Sequence, residues 1–290
     1  MRKPLFTGAC TALVTPFLDG QVNYPMMEQL LRRQMDAGIK AVVICGTTGE
    51  APTLSDAEKL ELFSRAKHYT GGLCKIIAGT GSNSTAHTVQ LSKAAESCGA
   101  DALLVVTPYY NKASQNGLLA HYQAVAQAVQ IPVVAYNVPG RTGMDIPLPV
   151  YEKLSKIPNL VGTKEASTDI TKTTKILSRC GHNLTIWSGN DDMTVPMISL
   201  GAKGVISVLS NVVPAETQAM CSAALAGDFD TAAALQLELQ PLVEALFCEV
   251  NPIPVKEAMK MIGYDCGTCR LPLSAMAPEN RKKLEQVLLP

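Results

Sequence analysis

Residues 160–167 read LVGTKEAS, an apolar run that ends in Lys164 and passes directly into polar residues. A lone lysine in such a place is most often solvated at a strand end, because lysine side chains are mostly exposed. The alternative is a lysine inside the mouth of a barrel, kept partly dry so that its neutral amine acts as a nucleophile. The pattern of the rest of the chain distinguishes these two interpretations.

Eight short apolar runs alternate with amphipathic helical patterns along the first 227 residues. The runs begin near Cys10, Ala41, Lys75, Ala102, Pro132, Leu160, Leu184 and Lys203. They are rich in aliphatic residues and lack strict polar alternation, which is typical of strands buried on both faces of a parallel sheet. Eight βα units in this order predict an α/β fold, a (β/α)8 TIM barrel over residues 1–227.

A doubly wound open sheet is the alternative architecture. Such a sheet usually has fewer strands and carries a glycine-rich phosphate-binding turn after its first strand. In this chain the first apolar run is followed instead by Thr15-Pro16-Phe17. We therefore favour the barrel.

Beyond residue 227 the strand patterns stop and helical patterns continue. Apolar residues recur at three- and four-residue spacing from Ala232 to Leu246, which indicates a long amphipathic helix. The segment NPIP at 251–254 interrupts this pattern, which resumes as far as Ile262, and a last helix follows Pro278. Residues 228–290 are therefore predicted to form a C-terminal appendage of three helices.

The charge composition argues for a small-molecule partner. The 25 basic and 25 acidic residues cancel, so no basic field is present to attract nucleic acid or an anionic membrane. No apolar run approaches the ~20 residues that a membrane helix needs. Polar residues interrupt the N-terminal apolar segment, which disfavours a signal peptide. We expect a cytoplasmic protein that binds neither nucleic acid nor membrane.

The cysteines and histidines do not form a recognisable metal motif. Nine scattered cysteines, an odd number, are expected to be reduced thiols. Cys266 and Cys269 have CxxC spacing, but there is no second pair and no nearby histidine, so a loop is favoured over a zinc site. None of the four histidines has the spacing of a metal ligand. We expect no metal and no cofactor.

Polar residues collect where the predicted strands end, which is the catalytic face of a TIM barrel. Thr47 and Thr48 lie between two glycines, which allow a tight turn whose N–H groups and hydroxyls could converge on a carboxylate. Tyr136 ends the strand that precedes the strand of Lys164. The planar guanidinium group of Arg141 is suited to binding a carboxylate with two hydrogen bonds. Each feature also has a simpler interpretation. The threonine segment could be only a structural turn, Tyr136 a residue of the core and Arg141 a solvated loop residue.

Together these residues indicate Schiff-base chemistry on a keto acid. The lysine amine would attack the carbonyl, and the resulting imine would act as an electron sink. Loss of a proton then gives an enamine, which is a carbon nucleophile. A tyrosine that hydrogen-bonds well can carry the protons that these steps require.

Eight stretches in the same order resemble one family. They are GTTGEAPT (46–53), IAGTGSN (77–83), TPYYNK (107–112), YNVPGRTG (136–143), GTKEAS (162–167), SGNDD (188–192), GVISV (204–208) and NPIPVK (251–256). The chain is similar, from about residue 5 to its C-terminus, to the dihydrodipicolinate synthase / N-acetylneuraminate lyase superfamily of class I aldolase-type barrels.

The resemblance implies a catalytic role for four residues. Lys164 would form the Schiff base with pyruvate, and Tyr136 would pass protons to and from it. Thr47 would link Tyr136 to Tyr110 in a hydroxyl relay, in which Tyr110 reaches in from a neighbouring subunit. The family is usually a homotetramer, a dimer of dimers, and requires no cofactor.

The resemblance also implies how the substrates are held. Thr48 and the backbone at Ile206 would bind the pyruvate moiety, and Arg141 would bind the carboxylate of L-aspartate 4-semialdehyde. The implied reaction condenses these two compounds in lysine and diaminopimelate biosynthesis. Lyases of the superfamily that act on N-acetylneuraminate or on 2-keto-3-deoxy sugar acids generally lack this arginine.

Two alternatives to this condensation stay open. One is such a retro-aldol lyase acting on a sugar acid. The other is a catalytically silent barrel that serves as a binding or scaffolding module, against which the intact set of catalytic residues argues.

A possible allosteric pocket is degenerate in this sequence. Relatives inhibited by lysine use a pocket with a serine, histidines, an asparagine, a glutamate and a tyrosine. Asn83 and Tyr109 match this pattern, but the serine position holds Ala51, the histidine positions hold Asp56 and Lys59, and the glutamate position holds His87. Losing a carboxylate and gaining a cation opposes binding of an ammonium group, so we expect weak lysine inhibition or none.

Overall fold

A computed structural model describes residues 3–288 of the chain. Eight parallel strands close into a barrel in which each strand pairs with its neighbours in sequence and the last pairs with the first. The strands are β1 (Gly8–Ala12), β2 (Ala41–Ile44), β3 (Lys75–Gly79), β4 (Ala102–Val106), β5 (Val133–Asn137), β6 (Leu160–Glu165), β7 (Thr185–Ser188) and β8 (Gly204–Ser207). The predicted TIM barrel is confirmed.

Helices follow the strands and surround the barrel. They are α1 (Tyr24–Asp36), α2 (Asp56–Thr70), α3 (Thr85–Ser97), α4 (Gln115–Ala128), α5 (Pro139–Thr142), α6 (Leu148–Leu154), α7 (Ile170–Cys180), α8 (Thr194–Ser199), α9 (Pro214–Ala226), α10 (Phe229–Leu246), α11 (Ile253–Met261) and α12 (Pro278–Leu288). The Ser-x-x-Glu pattern at residues 55–58 predicts a capping box, and Ser55 and Glu58 form one at the start of α2. Asp169, a residue type favoured at this position, caps α7. None of the helices between residues 3 and 288 is long and apolar enough to cross a membrane.

Some elements carry no sequence signal and were not predicted. A hairpin pairs Phe17–Leu18 with Gln21–Val22, and its strands are too short to show a period. The segment at Asp191 begins as a 3₁₀ turn over Asp191–Met193 before α8.

The C-terminal appendage contains the three expected helices, α10 to α12. Helix α10 packs on α8 and α9, and its Leu239, Leu242 and Leu246 join the apolar layer that covers the barrel. The shared layer ties the appendage closely to the barrel. The domain division at residue 227 therefore stays a prediction.

A second apolar cluster fills the inside of the barrel. Phe6 stacks on Trp187 with ring centroids 4.7 Å apart, and the Trp187 indole N–H donates to the Phe6 carbonyl at 3.2 Å. Tyr136 belongs to the same cluster. The interior is thus packed with side chains up to the level of the polar residues at the strand ends.

Gly162 makes room for the largest of these side chains. A Cβ atom at this position would lie 2.4 Å from Cζ3 of Trp187 and 2.5 Å from the Thr185 carbonyl oxygen. Gly162 and Lys164 lie on the same face of β6, because side chains alternate along a strand. The glycine therefore lets Trp187 fill the barrel next to the lysine.

We expect Gly162→Ala to lower the free energy of unfolding by about 1–3 kcal/mol, because the added methyl overpacks the barrel interior. Gly140→Ala is the matched control, since no atom lies within 4 Å of its Cβ position. That control is expected to change stability by about 0.5 kcal/mol or less. Urea denaturation measures both, and equal effects of the two substitutions would contradict the packing argument.

Candidate functional site

The ends of β5 and β6 bring a tyrosine and a lysine together inside the barrel. Tyr136 and Lys164 are paired in the register of these strands. Lys164 Nζ lies 4.5 Å from the centroid of the Tyr136 ring, and the two residues are 5% and 6% exposed, respectively. The structure therefore places Lys164 inside the mouth of the barrel and not on a solvated strand end.

Among residues 3–288, the Lys164 amine forms no hydrogen bond to a side chain or a backbone carbonyl. Gly189 lies against the side chain, since a Cβ atom there would be 3.1 Å from Lys164 Cε. Burial raises the pKa of the nearby Asp191 carboxyl, and the charge of Lys164 is among the influences that lower it. A buried amine free of acceptors is suited to attack a bound carbonyl group.

The loop after β2 carries Thr47 and Thr48, as expected, but its turn differs from the prediction. The left-handed backbone conformations are at Cys45 and Glu50, each with φ of 56°, and not at the two glycines. Gly49 is needed for close approach instead, since a Cβ atom there would lie 3.1 Å from the Leu13 carbonyl oxygen. The glycine lets the loop lie on the end of β1.

Asn251 connects two of the predicted substrate-binding residues. Its side-chain Nδ2 donates to Thr48 Oγ1 at 3.0 Å, and its backbone carbonyl accepts from Arg141 Nη2 at 3.5 Å. Because the Thr48 oxygen accepts this bond, its own proton is left to donate to another acceptor. Sequence analysis missed these contacts, although Asn251 begins one of the eight stretches that carry the family resemblance.

A buried ion pair fastens the appendage to the same loop. Lys256 Nζ lies 2.8 Å from Glu50 Oε1, and the Arg270 backbone N–H donates to Glu50 Oε2 at 2.8 Å. Both charged side chains are almost wholly buried, at 0% exposure for Glu50 and 3% for Lys256. The conformation of the Thr47–Thr48 loop therefore depends on α11, a contact that sequence analysis also missed.

Tyr110 is not part of this cluster within one chain. It is 86% exposed and its backbone has φ of 70°, a strained conformation for tyrosine. Among residues 3–288 no hydrogen bond joins Thr47, Tyr110 and Tyr136. The single chain thus contains the lysine–tyrosine pair but not the complete hydroxyl relay that the resemblance implies.

The remaining predicted residues lie around the mouth of the barrel. Arg141 is exposed on α5, whereas Ile206 is buried in β8 and paired with Cys10 of β1.

Cys266 is buried and Cys269 half-buried, and burial raises the pKa of each thiol to about 12. Within the described part of the chain, no group of three or more His, Cys, Asp or Glu residues could hold a metal ion.

Three residues of the possible allosteric pocket, Asp56, Lys59 and His87, form an ionic cluster on α2 and α3. His87 Nε2 lies 2.8 Å from Asp56 Oδ2, and Lys59 Nζ lies 3.4 Å from Asp56 Oδ1. The hydrogen bond from His87 is the main cause of the lowered pKa of Asp56. Ala51, Asn83 and Tyr109 have no side-chain hydrogen bond to this cluster in the described structure.

Comparison with known proteins gives a consistent result over nearly the whole chain. Residues 5–289 match the model of the dihydrodipicolinate synthetase family. A 4-hydroxy-tetrahydrodipicolinate synthase from Acetivibrio thermocellus is 47% identical over 288 residues, which cover 99% of this chain and 98% of that protein.

Solved structures agree with this match. The dihydrodipicolinate synthase from Aquifex aeolicus has a TM-score of 0.96 at 44% identity, covering 98% of this chain and 97% of that one. The enzyme from Cyanidioschyzon merolae with lysine bound has a TM-score of 0.96 at 38% identity, covering 99% and 98% of the two chains.

We expect Lys256→Met to lower the free energy of unfolding by about 3–5 kcal/mol, because it leaves the Glu50 carboxylate buried without its partner. Adding Glu50→Gln to this variant is expected to recover part of the loss, since the buried charge is then removed. Lys260→Met is the control, because Lys260 forms only an exposed pair with Asp265 at 3.8 Å. Urea denaturation measures these free energies of unfolding. If the loss in the double variant equals the sum of the losses in the two single variants, the coupling between Lys256 and Glu50 is refuted.

Proposed function

The chain belongs to the dihydrodipicolinate synthetase family, and we infer from this membership that it carries out the reaction of its 4-hydroxy-tetrahydrodipicolinate synthase relatives. The substrates are pyruvate and L-aspartate 4-semialdehyde, and the reaction belongs to lysine and diaminopimelate biosynthesis. The single observation that carries the assignment of roles within the site is the contact between Lys164 Nζ and the Tyr136 ring at 4.5 Å.

The first half of the reaction activates pyruvate. The Lys164 amine adds to the keto carbon and water leaves, which gives an iminium ion. A proton then leaves the methyl group, so that the enamine forms and its carbon becomes nucleophilic. The phenol of Tyr136 stands beside the amine and is our candidate for the proton carrier of these steps.

The second half joins the two substrates and releases the lysine. The enamine carbon adds to the aldehyde carbon, and the aldehyde oxygen takes up a proton. The amine of the former semialdehyde then attacks the iminium carbon and displaces the Lys164 amine, which closes the ring. Each step balances with proton transfers alone, so the mechanism requires no redox partner.

The carboxylates of the substrates are assigned to separate groups. Thr48 has its hydroxyl proton available because its oxygen already accepts a bond from Asn251, and we assign it, with the backbone at Ile206, to the pyruvate carboxylate. The exposed guanidinium of Arg141 is assigned to the carboxylate of the semialdehyde, which it can bind in a bidentate manner. A sugar-acid lyase would have no such second carboxylate to bind.

We propose that the chain acts as a homotetramer in which Tyr110 completes the site of a neighbouring subunit. The support is its exposure and its strained backbone. The tetramer built from two dimers and the cytoplasmic location stay predictions.

The assay that tests the proposed function compares two reactions. Pyruvate plus L-aspartate 4-semialdehyde is expected to give the cyclic product, and N-acetylneuraminate is expected not to be cleaved. We expect Arg141→Ala to raise the KM for the semialdehyde about tenfold to a hundredfold, as for the loss of a charge-assisted hydrogen bond. The KM for pyruvate should change much less.

Arg32→Ala is the control for this variant, because it also removes an exposed arginine, here one paired only with Glu28 on α1. It should leave both KM values unchanged. Cleavage of N-acetylneuraminate without the condensation would show that the chain is a sugar-acid lyase instead.

We further propose that lysine inhibits this enzyme weakly or not at all. The Asp56 carboxylate already contacts His87 Nε2 and the Lys59 ammonium, and is therefore unavailable to a lysine ammonium. The pocket then offers no free carboxylate to a positively charged ligand.

The test measures L-lysine inhibition of this chain and of a variant that restores the inhibited pattern (Ala51→Ser, Asp56→His, Lys59→His, His87→Glu). We expect inhibition to strengthen in the variant. An inhibition constant in the sub-millimolar range for the unaltered chain would refute the proposal.

A further inference from the structure

Two buried polar residues follow the lysine–tyrosine pair directly in sequence. Asn137 comes after Tyr136 on β5 and Glu165 comes after Lys164 on β6, and the two are paired in the register of the strands. Both are wholly buried. Because side chains alternate along a strand, this pair lies on the outer face of the barrel, behind the catalytic face of the same two strands.

The carboxylate of Glu165 bridges the two strands. Asn137 Nδ2 donates to its oxygens at 2.9 and 3.1 Å. The Tyr151 hydroxyl donates to Oε2 at 2.8 Å, and the Ser167 backbone N–H donates to Oε1 at 2.8 Å. Lys172 Nζ lies 3.9 Å from Oε2 and supplies a balancing positive charge.

Asn137 is equally constrained at its other atoms. Its Nδ2 also donates to Asp145 Oδ1 at 2.8 Å, and its Oδ1 accepts from the Ile146 backbone N–H at 2.9 Å. Asp145 in turn contacts Lys172. The network is therefore fully connected, so neither residue can shift alone without leaving a buried polar group unpaired.

The same strand pair contains an irregularity that makes such a bridge useful. The register shifts between Val133 and Val134, where Val133 pairs with Leu160 but Val134 pairs with Gly162. A slip of one residue would move Tyr136 or Lys164 to the opposite face of the barrel wall. The backbone ladder of β5 and β6 is interrupted at one end, and the Asn137–Glu165 bridge fixes it at the other.

We propose that Glu165 is a positioning residue that, through Asn137, fixes the register of β5 and β6 and holds Tyr136 against Lys164. Its carboxylate touches neither the amine nor the phenol and acts only through the two strands. A buried charge of this kind contributes little net stability on average, so a role in geometry explains its presence better than a role in folding. This inference rests on the proposed function, because it assigns Lys164 to imine formation.

The test measures the rate at which pyruvate and borohydride inactivate the enzyme, together with kcat and the KM for the semialdehyde. Glu165→Ala removes the bridge, and we expect it to slow trapping and lower kcat at least about tenfold, because small misplacements of reacting groups cost large factors in rate. The KM for the semialdehyde is expected to stay within about twofold, since Arg141 is untouched.

Two further variants separate positioning from general destabilisation. Glu165→Gln keeps a carbonyl oxygen for Asn137 and is expected to restore trapping to within about threefold of the unaltered enzyme. Thr217→Val is the matched control: Thr217 is also fully buried, its hydroxyl donates to the Val213 carbonyl at 2.7 Å, and it lies on α9, which packs on β1 and β8. It is expected to leave trapping unchanged.

Three results would overturn the proposal: Glu165→Ala traps as fast as the unaltered enzyme, Glu165→Gln traps as slowly as Glu165→Ala, or Thr217→Val slows trapping as much as Glu165→Ala. If Glu165→Ala does not fold, Tyr151→Phe takes its place, and it must slow trapping more than Thr217→Val does. If the unaltered enzyme gives no adduct with pyruvate, the proposed function itself fails, which distinguishes the two claims.

Discussion

The pairing of β5 with β6 is the constraint on which the site depends. It sets Tyr136 beside Lys164 on the inner face of the barrel and Asn137 beside Glu165 on the outer face. Two consecutive residues of each strand therefore point to opposite faces of the sheet. The inner pair lies above a barrel filled by Trp187, for which Gly162 leaves room. The lysine is therefore held by strand geometry and not by a hydrogen bond to its own amine.

The C-terminal appendage is part of the site and not only a support for it. Asn251 contacts both Thr48 and Arg141, and Lys256 forms the buried ion pair with Glu50 at the end of the threonine loop. Asn251, which lies 203 positions from Thr48 and 110 from Arg141, thus contacts both of the side chains assigned to the substrate carboxylates. A barrel limited to residues 1–227 would leave Glu50 without its cation.

The sequence predicted the features that depend on local patterns. Eight apolar runs, the capping box at Ser55 and the three C-terminal helices all follow from periodicity and end signals, and the structure confirms them. Asn251, the Glu50–Lys256 pair and the Glu165 bridge depend on contacts between distant segments, for which periodicity gives no signal. The left-handed residues of the threonine loop, Cys45 and Glu50, were missed because non-glycine residues rarely adopt that conformation.

The central claim is that Lys164 forms a covalent imine with pyruvate. Borohydride reduction in the presence of pyruvate, followed by peptide mass mapping, tests it most directly. We expect a reduced pyruvate adduct on Lys164 and none in Lys164→Ala. An adduct on another lysine, or a turnover-competent enzyme that gives no adduct, would contradict it.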